Sequence, residues 1–175
     1  MSRSWFVGLI TVLDPRKLDF ELNPRLRLIV IATAGSAYDY TTIWINLKDV
    51  NDNAPRFSQH RYTSSVWEDN LPGTFVTQVM ATDLDSGANS RITYSVVSGN
   101  IQNAFVIDPP NTGIVLTNNV LDREARDFYR LEIEACDSGK PALKSTVTLR
   151  IQVIDTNDNA PVFPVFAPVN IREGK

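Results

Sequence analysis

Carboxylate and asparagine side chains of this 175-residue chain are grouped at a few places. Asp83 and Asp85 stand two positions apart, as do Asp122 and Glu124, so an extended backbone turns both side chains of each pair to one face. Calcium suits such pairs, because it takes six to eight oxygen ligands in irregular geometry, whereas magnesium demands a strict octahedron. Transition metals prefer imidazole and thiolate, and the chain has one His and one Cys. The spacing therefore predicts calcium sites.

A nine-residue segment that is rich in these residues occurs twice. Residues 49–57 (DVNDNAPRF) return 106 positions later as residues 155–163 (DTNDNAPVF), with seven of nine positions identical. A shorter match joins residues 18–21 (LDFE) to residues 121–124 (LDRE). A period of about 105 residues is too long for a solenoid and indicates a tandem array of whole domains.

Short segments of alternating apolar and polar residues must position these acids. Their composition and their Gly, Pro, Asn and Asp boundaries are typical of strands, and no segment predicts a helix of three turns. The pattern favours an all-β protein built as a β-sandwich. The predicted strands are 26–32, 43–47, 75–81, 92–97, 104–107, 113–117, 131–135 and 147–153.

Domain boundaries follow from the repeated segment, whose Pro, Asn and Asp residues predict linkers between domains. Residues 1–53 are the C-terminal half of one domain with its linker, 54–160 a complete domain with its linker, and 161–175 the first strand of a following domain. The apolar run 5–13 predicts a buried strand rather than a signal peptide, because it lacks a small-residue cleavage site. No run reaches the roughly 18 apolar residues of a membrane span, so any membrane attachment requires a segment absent from this stretch.

Several functional classes are excluded by composition and motif. A net charge of −3 argues against a nucleic-acid surface, and a single Cys excludes an intramolecular disulfide. An EF-hand loop starting at Asp83 would need Gly at position 88 and Glu at position 94, where the chain has Ala88 and Tyr94. Phosphate-binding and zinc-protease motifs are absent from the sequence, and the chain is not predicted to be an enzyme.

The motifs in their order resemble extracellular cadherin repeats of the protocadherin and Fat-like branches, over essentially the whole chain. They are DxNDNAP in both linkers, DLDSGAN at 83–89, LDRE at 121–124 and ACD at 135–137. The resemblance implies Greek-key, immunoglobulin-like β-sandwich repeats in tandem, with three calcium ions at each junction. It also implies a location at the plasma membrane, on its extracellular side.

The resemblance further implies the calcium ligands, where the first junction is built around residues 49–53 and the second around residues 155–159. The first-junction ligands are Asp19, Glu21, Asp49, Asn51, Asp52, Asp83, Asp85, Asp137 and the carbonyls of Val50, Asn53 and Asn89. The second-junction ligands are Glu68, Asp122, Glu124, Asp155, Asn157 and Asp158, with Thr156 and Asn159 at the positions of Val50 and Asn53.

The expected function is calcium-dependent cell–cell adhesion, in which calcium at the linkers stiffens the tandem repeats. The expected partners are cadherin ectodomains in cis or trans, homophilic or heterophilic, and homophilic adhesion is the favoured function. One alternative is a heterophilic receptor–ligand or planar-polarity ectodomain in which these repeats act as a spacer. A second is a carbohydrate-active or hydrolytic sandwich, which would need acids converging in a pocket.

Overall fold

Strands follow the predicted alternation through most of the chain. In the computed structural model, which describes residues 7–174, two single-turn 3₁₀ helices at Pro15–Lys17 and Ile101–Asn103 accompany eleven strands. The strands are β1 (Arg25–Ala34), β2 (Ala37–Asn46), β3 (Arg56–Phe57), β4 (Arg61–Trp67), β5 (Phe75–Gln78), β6 (Ala81–Thr82), β7 (Thr93–Ser98), β8 (Phe105–Ile107), β9 (Ile114–Thr117), β10 (Phe128–Cys136) and β11 (Lys144–Ile154).

The complete repeat is a sandwich of two layers. One sheet has the order β4–β11–β10–β7, in which β4 runs parallel to β11 and the other pairs are antiparallel. The opposite layer holds β5–β9–β8 and the short pair β3–β6. The chain crosses between layers from β3 to β4, from β4 to β5, from β6 to β7, from β7 to β8 and from β9 to β10, as in a Greek key. The prediction of an all-β sandwich is confirmed.

The core is formed by the inward positions of these strands. On β10, Leu131, Ile133 and Ala135 are fully buried, while Glu132 and Glu134 between them are exposed and half-buried, respectively. The partner strand β11 buries Leu149 and its alternate neighbours in the same layer. Burying one leucine or isoleucine side chain stabilises the fold by about 1.5–3 kcal/mol. This core holds the loops at the two ends of the sandwich, where the predicted ligands lie.

The segment before the first linker forms a hairpin. β1 pairs with β2 in antiparallel register through a tight turn at Gly35, whose φ of +64° suits glycine. The match at residues 18–21 aligns β1 with β10, and the linker match aligns β2 with β11. The hairpin therefore corresponds to the last two strands of the complete repeat.

The expected buried strand at 5–13 is wrong for its described part, because residues 7–13 are exposed and carry no strand. Residues 5 and 6 lie outside the described residues. In the complete repeat, the corresponding strand is β9, which pairs with β5 and β8. Both partners precede β9 in the chain, and residues 7–13 find no equivalent strands to pair with among the described residues.

Other strand predictions differ in extent. The predicted strand 43–47 is the end of the ten-residue β2, and the predicted strand 75–81 divides into β5 and β6. β3 and β4 were not predicted, and residues 161–174 carry no strand. A first strand pairs only with later strands of its own domain, so its assignment to a following repeat stays a prediction, as do the domain boundaries. Within residues 7–174, no helix is long and apolar enough to cross a membrane.

Candidate metal centres at the two junctions

Three carboxylates from distant parts of the chain meet at the first junction. Glu21 lies before β1, Asp49 lies in the first linker and Asp85 follows β6, and each places one oxygen within 4.8 Å of the other two. Asp85 is buried, Asp49 is half-buried and Glu21 is exposed. Three negative groups at this separation repel one another unless a cation or hydrogen-bond donors lie between them.

Asp49 is held by the loop that follows Asp85. Ser86 donates from its backbone N–H and from its hydroxyl to Asp49 Oδ2, both at 2.9 Å, and Asn89 donates from Nδ2 at 3.1 Å. The Ser86 N–H is the main cause that lowers the pKa of Asp49 below its usual value. The other oxygen, Asp49 Oδ1, is buried without a hydrogen-bond partner. Asp49 is therefore ionised, fixed in position and left with one free oxygen.

Asp83 lies close to other carboxylates. Its Oδ1 accepts a hydrogen bond from the Asp85 N–H at 2.9 Å, but its Oδ2 is buried without a partner. Burial raises the pKa of Asp83, and the charges of Asp85, Asp137 and Asp49 raise it further. A raised pKa marks a carboxylate whose charge is poorly compensated by the protein alone.

Glu21, the exposed member of the three carboxylates, also has a raised pKa. A backbone N–H of Glu21 lowers its pKa, but burial and the charges of Asp52 and Asp49 outweigh that effect, so the pKa is raised. Asp19, Glu21, Val50 and Asp52 line a cleft of about 890 Å³ beside the linker. The cleft is lined by residues that precede β1 and by Leu84 of the complete repeat, so a cation there would contact both sides of the junction.

The linker itself is fastened to the complete repeat. Asn51 Nδ2 donates a hydrogen bond to the Pro141 carbonyl oxygen at 2.6 Å. The other polar atom of the same side chain, Asn51 Oδ1, is buried without a hydrogen-bond partner. Asn53 donates from its backbone N–H and from Nδ2 to the two oxygens of Asp85, at 3.2 Å and 2.7 Å. Asp137 is buried and accepts from the N–H groups of Gly139 and Leu143, so it shapes the loop against which Asn51 rests.

The second junction repeats part of this arrangement. Glu68, Asp122 and Glu124 each place one carboxylate oxygen within 4.8 Å of the other two. Glu68 is buried, and its oxygens accept from the N–H of Thr156 at 2.6 Å and the N–H of Arg123 at 2.7 Å. These two backbone donors, Thr156 first, lower the pKa of Glu68. The end of β4 is thus tied to the second linker.

Arg123 is a functional side chain that sequence reasoning missed. Its Nε donates to Asp155 Oδ1 at 2.9 Å, its terminal nitrogen contacts Glu124, and its Nε lies 3.9 Å from Glu68. The hydrogen bond to Asp155 is the main cause that raises the pKa of Arg123. The signal was present in the sequence, because Arg123 lies between two predicted ligands where the first junction has Phe20.

The other predicted ligands of the second junction lie outside its carboxylate group. Asp158 is exposed and accepts from Asn159 Nδ2 at 2.7 Å, and Asn157 is also exposed. At the first junction, Asn53 Nδ2 makes the same contact with Asp52 at 2.8 Å. Ser86 was another omission of the sequence reasoning, and the side-chain amide of Asn89 also contacts Asp49, while its carbonyl stays a predicted ligand.

Matching turns support the equivalence of the two junctions. Asp19 Oδ1 accepts from the Leu22 N–H at 2.9 Å, and Asp122 Oδ1 accepts from the Ala125 N–H at the same distance. Each aspartate carbonyl then accepts from the residue four positions later, at 3.0 Å and 2.9 Å. The same local structure therefore presents Glu21 at one junction and Glu124 at the other.

The donor set at the first junction suits a hard cation. Among the described residues, four buried side-chain oxygen or nitrogen atoms lack a hydrogen-bond partner, and three of them are oxygens of Asp49, Asn51 and Asp83. The carboxylate, amide and carbonyl oxygens gathered here are the ligands that calcium prefers. An unpartnered buried polar atom costs about 1–3 kcal/mol, so three in one place point to a missing ligand.

A Greek-key β-sandwich with acidic groups at both ends defines an immunoglobulin-like repeat with oxygen-lined junctions. The cadherin domain family model matches residues 62–154, and the chain belongs to the cadherin family. The resemblance inferred from the motifs is confirmed. Proteins of this family are adhesion proteins and not enzymes, and the homologues are cell-surface cadherins with extracellular repeats.

Similar proteins include long cadherins. The chain is 47% identical to protein dachsous of Drosophila melanogaster over 151 residues, which are 85% of this chain and 4% of that protein. It is 43% identical to human protocadherin-23 over 166 residues, covering 95% of this chain and 5% of that protein. The protocadherin gammaB7 EC3-6 cis-dimer structure superposes with a TM-score of 0.79 at 36% identity, covering 86% of this chain and 39% of that one. The chain thus spans about one twentieth of its curated relatives.

Proposed function

We propose that the chain is a segment of a homophilic cell-adhesion ectodomain on the extracellular side of the plasma membrane, whose junctions bind calcium and fix the orientation of successive repeats. The observation that carries the proposal is the group of three buried, unpartnered oxygens on Asp49, Asn51 and Asp83. Asp49 also places one carboxylate oxygen within 4.8 Å of oxygens of Glu21 and Asp85, which come from opposite sides of the first linker.

Electrostatics favours a cation at this place. Burial and neighbouring acids raise the pKa values of Asp83 and Glu21, so ionising these two side chains costs free energy in the absence of a counter-charge. A bound calcium ion would supply that counter-charge and accept the free oxygens as ligands. The residues proposed for this role are Asp19, Glu21, Asp49, Asn51, Asp52, Asp83, Asp85 and Asp137, with the carbonyls of Val50 and Asn53.

The chain's own contacts explain how occupancy of the junction would stiffen the rod. Ser86 and Asn89 already hold Asp49 against the complete repeat, and Asn53 holds the linker to Asp85. Glu21 is the contribution of the upstream hairpin, and it is exposed. Drawing Glu21 to the same ligand as Asp49 and Asp85 removes the freedom of the hairpin relative to the repeat. Part of the free energy of calcium binding then offsets the conformational entropy that the linker loses on ordering.

The second junction also gathers acids that could bind calcium, but there an arginine already partly neutralises their charge. Glu68, Asp122 and Glu124 gather there, and Arg123 supplies a positive charge that also pairs with Asp155. We expect this junction to bind calcium more weakly, because the arginine must leave its carboxylate partners first.

Calcium titration of the chain by calorimetry tests the proposal, with small-angle scattering and limited proteolysis in parallel. We expect calcium binding, a narrower spread of hairpin–repeat angles and protection of residues 49–53. Asp83→Ala should weaken binding at the first junction and leave the sandwich folded. Glu132→Gln is the matched control, because Glu132 is an exposed acid in the middle of β10. Scattering and proteolysis profiles that do not change with calcium would refute the proposal.

Homophilic recognition requires its own experiment. Beads coated with the parent ectodomain should aggregate with one another in calcium and disperse in chelator. Aggregation only after mixing with beads that carry a different cadherin would favour the heterophilic alternative, in which these repeats act as a spacer.

A further inference from the structure

The outward face of the β1–β2 hairpin is apolar and aromatic, unlike the same face of the complete repeat. Side chains of a strand alternate between the two faces of its sheet. By the alignment with β10 and β11, Leu28, Val30 and Ile43 point toward the core of the upstream repeat. The opposite, outward face carries Ile29, Ile31, Tyr38, Tyr40 and Trp44, and these five residues are called the hairpin patch below.

The corresponding face of the complete repeat shows what a solvent-facing surface looks like on these strands. Its aligned positions on β10 and β11 are polar or charged, and they are exposed or half-buried. They are Arg130, Glu132, Glu134, Lys144, Thr146, Thr148 and Arg150. The apolar character of the hairpin patch is therefore a property of the upstream repeat and not of the fold.

The size of the hairpin patch sets it apart from scattered surface hydrophobics. Its members are between 51% exposed, for Trp44, and 73% exposed, for Tyr38. Together they expose on the order of 600 Å² of contiguous, largely apolar surface, since one aromatic side chain alone can bury 150–250 Å². Monomers rarely leave larger patches uncovered. A standard protein–protein interface buries about 800 Å² per partner.

We propose that the hairpin patch is an interface with a second copy of this chain, packed face to face about a two-fold axis with antiparallel strands. The available area comes close to one partner's share of a standard interface, and an apolar face can be buried against the same face of a second copy. This inference deepens the homophilic part of the proposed function.

Charge selects the antiparallel arrangement. The end of the patch near Trp44 carries Arg25 and Arg27, and the Arg25 guanidinium lies 4.1 Å from the Trp44 ring centre. The other end carries Tyr38 beside Thr33. A two-fold axis through the row of Val30 and Thr41 sets the arginine end of one copy against the tyrosine end of the other, where guanidinium groups meet aromatic rings. A parallel arrangement would set arginine against arginine.

Paired substitutions on adjacent residues test this interface. Ile31→Lys and Tyr40→Lys place a charge on the outward face, and Val30→Lys and Thr41→Lys place the same charge on the inward face of the same two strands. In sedimentation velocity over a wide concentration range, we expect the unaltered chain to dimerise. We expect the outward variants to dimerise at least roughly tenfold more weakly, since a hot-spot residue commonly contributes 2 kcal/mol or more.

The inward variants should dimerise as the unaltered chain does, within about twofold. A monomeric unaltered chain, or inward variants that are weakened as much as the outward ones, would overturn the inference. Measurements in calcium and in chelator separate it from the calcium proposal, because no patch residue belongs to either junction. Dimers that persist without any calcium binding would refute only the calcium proposal, and calcium binding by a monomer would refute only the interface.

Discussion

Gly139→Ala should disturb the first linker without damaging the sandwich. A Cβ atom at position 139 would lie 2.2 Å from Nδ2 and 2.3 Å from Cγ of Asn51. The backbone of Gly139 is outside the left-handed region, so alanine fits it without strain. Because ordinary carbon contacts lie at 3.5–4.0 Å, the Asn51 side chain must move by about 1 Å or more. That movement breaks its 2.6 Å hydrogen bond to the Pro141 carbonyl.

Two effects on the free energy of unfolding oppose each other here. Loss of the hydrogen bond destabilises the native state by about 0.5–1.5 kcal/mol. Replacing glycine by alanine restricts the unfolded chain and stabilises the native state by about 0.4–1 kcal/mol. The net change should therefore be close to zero, and only a double-mutant cycle separates the two contributions.

The cycle uses Gly139→Ala, Asn51→Ala and the double variant, measured by urea unfolding in calcium-free buffer. In the Asn51→Ala background, Gly139→Ala should be purely stabilising, so the coupling free energy should be about 1 kcal/mol. Cleavage within residues 49–53 should also become faster in Gly139→Ala, and Gly8→Ala is the control because nothing lies within 4 Å of its added Cβ. A coupling free energy within about 0.3 kcal/mol of zero, with unaltered cleavage, would show that Gly139 does not seat the linker.

Three further predictions follow from the junctions. Asp83→Asn removes a carboxylate whose pKa is raised by burial and by neighbouring acids. In chelator, the free energy of unfolding should therefore rise by about 0.5–1 kcal/mol, whereas calorimetry should show weaker calcium binding. Equal stability of the two proteins in chelator would contradict this prediction. Arg123→Gln should strengthen calcium binding at the second junction several-fold and Phe20→Arg should weaken it at the first, and an unchanged affinity in both variants would exclude competition by the guanidinium. The pKa of Glu68 is lowered, chiefly by the Thr156 N–H, so its stabilisation should be complete above about pH 4.5 and lost as the pH falls through the lowered pKa. The stability difference between the unaltered chain and Glu68→Gln should therefore be constant above that pH and shrink below it, and a difference that grows on acidification would contradict the assignment.

Alternation was sufficient to predict the sandwich, and the resemblance to cadherin repeats predicted the meeting of distant acids. The core residues Leu131 and Ile133 were placed by period-two alternation alone, because burial on one face imposes that pattern. The gathering of Glu21 with Asp49 was implied by the resemblance to cadherin repeats, which assigns both residues to the first junction.

Other features depend on contacts that no local pattern encodes. β4 was missed because Ser64 interrupts the apolar inward positions between Tyr62 and Val66, and because its stability comes from parallel pairing with β11 at the far end of the chain. The seating of Asn51 against Gly139 joins residues 88 positions apart, and its only sequence signal is a glycine in a loop. The ion pairs of Arg123 depend on side-chain direction, which spacing does not determine.

The parallel pairing of β4 with β11 has a mechanical consequence. Seven residue pairs, from Arg61–Thr148 to Trp67–Ile154, join β4, which follows the incoming linker and the short strand β3, to the strand that leads into the outgoing linker. Tension applied through the two linkers pulls these strands in opposite directions along their length. The hydrogen bonds between them are then loaded together in shear rather than opened one at a time. The repeat should therefore resist mechanical unfolding, because all of these hydrogen bonds must break together. The force should also reach Glu68 and Thr156, which lie where the β4–β11 pairing meets the second junction.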